Sequence, residues 1–191
     1  MNDSPGPADP RRAGNAIELK LREVAQLFNS LDPSPFKEKD LDRDAEEFIV
    51  EWARELRPSA QAPLRLIVHL EKPLPEGQTA TRVEEAIRHY FAYRASIDRL
   101  ALRQLFQQGR TSLVIGVSFL SACLLLAELV VHQAPEGAFP RILREGLTIG
   151  GWVAMWRPMQ IYLYDWWPLR QRARLLDRLG GIDVEVREPA R

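Results

Sequence analysis

Hydrophobic and polar positions divide this chain into a patterned first part, a long apolar stretch and a short patterned end. Ile17, Leu21, Val24, Phe28 and Leu31 recur at helical spacing and predict an amphipathic helix over 15–31. DPSPF then breaks the pattern, because Pro33 and Pro35 cannot continue a helix. A second helix is predicted over 40–57, with Leu41, Ala45, Phe48, Ile49, Trp52 and Leu56 inward and an acidic outer face. Residues 64–71, LRLIVHLE, alternate as a strand does and are ended by Pro73, Pro75 and Gly77. Thr81 with Glu84 fits a capping box, in which both side chains satisfy orphan amides at a helix start. From there Val83, Ile87, Tyr90, Ile97, Ala101 and Leu105 carry a helix to Gly109 and on into the apolar stretch. Gly180 and Gly181 stop a last helix, and IDVEVRE alternates as a second strand. Its Asp183, Glu185 and Arg187 could pair with Arg65 and Glu71 of the first. Two strands alone are marginal and need covering helices or an oligomer partner.

The apolar stretch predicts a membrane protein. Residues 112–131, SLVIGVSFLSACLLLAELVV, contain twenty positions with one charge. At about 1.5 Å per residue this crosses a hydrocarbon core of roughly 30 Å. The competing reading is a core helix of a soluble domain. A helix apolar all round is hard for so small a chain to cover. A second, more polar span is predicted over 146–167 and ends in Tyr162, Tyr164, Trp166 and Trp167, as an interfacial aromatic belt would. Arg94, Arg99, Arg103 and Arg110 precede the first span and Arg170, Arg172, Arg174 and Arg178 follow the second, against Arg141 and Arg144 between them. By the positive-inside rule both termini are cytoplasmic. The expected fold is a mainly α membrane protein: a two-helix transmembrane hairpin carrying a small cytosolic α+β module. Its parts are a disordered tail (1–14), a cytosolic module with a helix leading into the membrane (15–110), a first transmembrane helix (111–132), a short external loop (133–145), a second transmembrane helix (146–167), and a cytosolic helix and strand (168–191).

Polar groups inside the bilayer are the candidate functional residues. Arg157 lies near the middle of the second span, where an arginine costs about 2.5–3.5 kcal/mol on insertion scales. Snorkelling to the interface is the plain explanation. Gly146 and Gly150, however, fall within about 20° of Arg157 around the helix at roughly 100° per residue. Glycines and charge then share a face suited to another helix. Pro158 should kink the span by leaving the Ala154 carbonyl without its donor. Ser118 and Ser121 of the first span lie at the depth of Arg157 and could accept from it; Glu128 lies too far along the axis and reads as a snorkelling or loop-contacting residue. Tyr164, Asp165, Trp166 and Trp167 read as interface anchors, with Pro168 ending the span.

Composition narrows the chemistry. The 191 residues carry 26 basic and 26 acidic side chains, so no net field draws the chain to nucleic acid. The one cysteine, Cys123, sits in the apolar run as a packing residue. No signal-peptide pattern opens the sequence. His69, His89 and His132 lack metal-ligand spacing, and no phosphate-binding glycine loop or nucleophile elbow occurs. The acidic run from Glu38 to Glu51 matches no calcium loop. No catalytic, cofactor or metal site is predicted.

The segments LFNSLDPSPFKEKDLDRDAEEFIVEWAREL and EGLTIGGWVAMWRPMQIYLYDWWPLRQRARLLDRL resemble a group of uncharacterised bacterial two-span inner-membrane proteins of unknown function. That resemblance implies a bacterial inner-membrane location and no activity. The function expected is a non-enzymatic scaffold, assembly or regulatory component, working in the lipid bilayer as a homo-oligomer or in a larger membrane complex. Its rivals are an oligomeric transporter or channel component with Arg157 lining a path, and, ranked last, an enzyme at the membrane surface.

Overall fold

A computed structural model describes residues 16–33, 35–36, 39–56, 64–133 and 137–189; the predicted tail over 1–14 lies outside the described residues. The chain is mainly helical with a small parallel sheet, and it divides into two compact units. Asp98–Gln171 form one unit, and the residues on either side of that segment together form the other.

The flanking unit is built on three strands, β1 (Ala16–Leu21), β2 (Arg65–Leu70) and β3 (Asp183–Arg187), in the order β1-β2-β3 with both pairings parallel. Residues 16–21 thus correct the helix expected over 15–31: they form a strand, followed by a short 3-10 turn at Val24–Leu27. AIELKL satisfies both periods, since Ile17, Leu19 and Leu21 alternate while Ile17, Leu21 and Val24 also lie on one helix face. Pairing with β2 decides, because the ladder satisfies the backbone and buries Ile17 in the same step. Two strands were expected; the overlooked third lets β2 occupy the centre.

One sheet face packs against helices. Ile17, Leu66, Val68, Leu70 and Val184 share a core with Ala45, Ile49 and Ala53 of α1 (Arg43–Glu55). Val83, Ala86, Ile87 and Phe91 of α2 (Ala80–Gln133) join them, with Leu176 and Leu179 of α5 (Trp166–Gly180). Asp42 caps α1, its Oδ1 accepting from Asp44 N at 3.0 Å. At α2 the capping threonine is Thr79 rather than Thr81: its Oγ1 accepts from Arg82 N at 3.3 Å, and residue 80 is already helical.

In the unit Asp98–Gln171, the rest of α2 is followed by α3 (Ala138–Ala154), α4 (Trp156–Gln160), a π-helical turn (Ile161–Asp165) and the start of α5. Helix therefore resumes at Ala138, inside the segment 133–145 expected as loop. Among the described residues α2 is the one helix long and apolar enough to cross a membrane, and only 17% of its apolar window is buried within the chain. The second apolar segment is interrupted at Met155, three residues before Pro158. Pro158 has no N–H for the Ala154 carbonyl, so α3 stops and α4 restarts with the proline in its first turn.

Candidate functional site

The π-helical turn is the most unusual backbone feature and holds the predicted intramembrane charge. In an uninterrupted α-helix position 165 would sit about 80° around the axis from 157; the extra residue of a π-turn reduces this to about 20°. Arg157 Nη1 accordingly donates to Asp165 Oδ2 at 3.4 Å. Arg157 thus pairs with a residue read from sequence as an interface anchor, not with Ser118 or Ser121, both of which are exposed. Glu128 Oε1 lies 3.3 Å from His132 Nε2, one turn further along α2.

Close packing in this unit runs through other glycines than those expected. A Cβ at Gly116 would lie 3.0 Å from the Ala154 carbonyl oxygen, so the acceptor freed by Pro158 faces a bare glycine. A Cβ at Gly151 would lie 2.8 Å from Leu120 Cδ1 and 3.2 Å from Cys123 Cβ, and one at Gly109 2.9 Å from Ile161. These contacts run antiparallel: 109 meets 161, 116 meets 154, and 120 and 123 meet 151. Gly146 and Gly150 have nothing within 4 Å of a built Cβ. Their face of α3 also carries Ile142, Ile149 and Val153, each at least 64% exposed.

The aromatic cluster gathers around a residue that sequence reading passed over. Phe106 lies 6.2 Å from the Tyr162 ring and 6.4 Å from that of Trp166. Trp166 Nε1 donates to the Tyr162 carbonyl at 2.8 Å, its ring meets Trp167 edge-on, and Arg170 stacks over it at 5.5 Å. Tyr164 and Trp167 remain exposed.

The other unit contains a polar cluster that sequence reading missed. Tyr90 Oη donates to Glu46 Oε2 at 2.6 Å, and Arg94 Nη2 donates to Glu46 Oε1 at 3.1 Å. Burial, and then the Glu46 hydrogen bond, push the Tyr90 phenol well above its usual range. Glu46 belongs to the acidic run read as a solvated face. Tyr90 and Arg94 are one turn apart on α2, two donors on one stripe, and that spacing was the available signal for a shared acceptor. Beside them a groove of about 280 Å³ is walled by Arg43, Glu47, Glu51 and Arg54 of α1 and by Arg172. Among the described residues no three His, Cys, Asp or Glu side chains gather as metal ligands would.

Comparison with protein-family models, with curated proteins and with solved structures gives no match to this chain. The functional reading therefore rests on the residues and their geometry.

Proposed function

We propose that the chain is a two-pass integral protein of a bacterial inner membrane, with both termini cytoplasmic, that serves as a non-enzymatic scaffold or assembly component. One observation carries the reading. β2 precedes the apolar unit, β3 follows it, and the two are hydrogen-bonded neighbours in one sheet. A chain that crossed a bilayer once could not return to that sheet, so the apolar unit crosses twice or not at all. Its surface supports crossing: Val114, Ile115, Leu125, Phe139, Ile142, Trp152, Val153, Trp156 and Leu163 are each at least 60% exposed. In water so much contiguous apolar surface marks association or aggregation; in lipid it is the favourable state. Both antiparallel limbs contribute to it, and the flanking arginines favour the cytoplasm for the ends.

The face at Gly146 and Gly150 supports assembly, because small residues let a second backbone approach closely in lipid. The rival reading, an anion path along Arg157, loses support from the Asp165 carboxylate that partly neutralises the guanidinium.

Topology is tested in a Cys123→Ser background with a membrane-impermeant maleimide. His132→Cys should label in intact spheroplasts and Glu188→Cys only after permeabilisation. Labelling of both only after permeabilisation would remove the two-pass reading. Anion flux in proteoliposomes that Arg157→Gln abolishes would favour the transporter instead.

A further inference from the structure

We propose that the uncovered face of the three-stranded sheet is a contact between two copies of this chain, stacked about a two-fold axis perpendicular to the strands. All-parallel sheets occur almost only with both faces covered. Here the second face carries Arg65, Ile67 and His69 of β2, flanked in register by β1 and β3; among the described residues its Lys20, Arg65, Asp183, Glu185 and Arg187 are exposed, and Ile67 and His69 are half-buried. Residues that pair across a parallel ladder point to the same side, so the register sorts this face into rows. Glu18 and Glu185 flank Ile67, and Lys20 and Arg187 flank His69 in the next row, two residues or about 7 Å along the strands. The outer members of one row are both acidic and those of the other both basic.

That order makes the face complementary to itself in one way only. With a two-fold axis between the two rows and perpendicular to the strands, Glu18 faces the partner's Lys20, Glu185 faces the partner's Arg187, and Ile67 faces the partner's His69. An axis parallel to the strands sets Glu18 against the partner's Glu185 and Lys20 against the partner's Arg187, like on like. Packed sheets lie about 10 Å apart, a gap that Glu with Lys or Arg can bridge. The pair already present, Glu185 with Arg187 at 2.8 Å, would then join its counterpart in the second copy as a network of four charges. Such a face is small, about 15 Å by 17 Å from strand spacing and rise, too little to hold a dimer from dilute solution. Two copies confined to one membrane meet at a raised effective concentration, so this inference rests on the membrane reading above.

The test uses the full-length chain in native membranes, in a Cys123→Ser background. Chains carrying Ile67→Cys and His69→Cys, under different tags, are co-expressed and treated with a short bis-maleimide that spans a gap of about 10 Å between packed sheets. A mixed cross-link between the two tags is expected, and its absence overturns the proposal. Charge reversal is the second arm. Glu18→Lys or Lys20→Glu alone should reduce the mixed cross-link about tenfold, through like charges across the contact. Glu18→Lys with Lys20→Glu should restore it, because the reversed rows match again. A double variant no better than the singles overturns the two-fold register. Alkaline carbonate extraction separates the two readings: release of the wild-type chain sinks membrane integration, whereas retention without cross-linking sinks this contact alone.

Discussion

Arg65 and Asp183 stand 118 positions apart in the chain, and Arg65 Nε donates to Asp183 Oδ2 at 3.2 Å across the neighbouring strands β2 and β3. Both side chains are more than half exposed, so the pair itself contributes little, about 0–1 kcal/mol. It marks a register whose next step sets Leu66 beside Val184 in the core. The sheet is thus completed by residues made only after the whole apolar unit.

The C-terminal segment should therefore be needed for the stability of the flanking unit. Leu179 is fully buried, and Leu179→Ala should destabilise it by about 2–5 kcal/mol, through lost burial and the cavity left behind. Leu31→Ala, at a side chain 88% exposed, should change stability by no more than about 0.5 kcal/mol. Denaturant unfolding followed at the sheet signal checks both.

Tyr90→Phe should remove a hydrogen bond to a part-buried carboxylate and cost about 1.5–3 kcal/mol at neutral pH. The folded-state pKa of Tyr90 is raised, so the folded chain holds this proton more tightly than the unfolded chain. The contribution is complete below the unfolded value near 10 and is lost as pH rises beyond it. Wild type should lose stability above about pH 10 more steeply than Tyr90→Phe, as urea titrations at pH 7 and pH 11 would show.

Adjacent glycines should behave oppositely. Gly151→Leu drives a side chain into Leu120 and Cys123, and should lower the thermal stability of the detergent-solubilised chain. A Cβ at Gly150 has nothing within 4 Å, so Gly150→Leu should not lower that stability. On the assembly reading it should instead disperse a detergent-stable oligomer, measured by light scattering. An unchanged assembly state would count against that reading.

Arg157→Gln and Asp165→Asn each leave one charge of a pair without its partner. In lipid each should destabilise the chain more than the double variant does, with a coupling of about 1–3 kcal/mol. Strictly additive effects in a double-mutant cycle would show that the pair does not interact.

Much of the fold was legible wherever one period stood alone. LRLIVHLE and IDVEVRE alternate without a helical competitor and are strands, and the apolar run after Gly109 lies on a single helix. Residues 16–21 carry both periods, so the local pattern could not choose. Of the residues expected inside the bilayer, Arg157 and Pro158 were marked by rarity and by chemistry. Asp165 as partner was not, because the π-turn that carries it round to Arg157 leaves no trace in an i,i+4 pattern.

The sequence by itself determined where the chain is apolar, where Pro158 stops a helix and which segments alternate, since these follow from side-chain chemistry within a few residues. Only the tertiary structure decided that three strands make one parallel sheet, that Gly116 and Gly151 rather than Gly146 and Gly150 pack within the chain, and that Glu46 is an acceptor for Tyr90 and Arg94. Each of those depends on groups tens of residues apart, whose pairing is selected by shared burial and by satisfied backbone, and neither is a property of a local pattern.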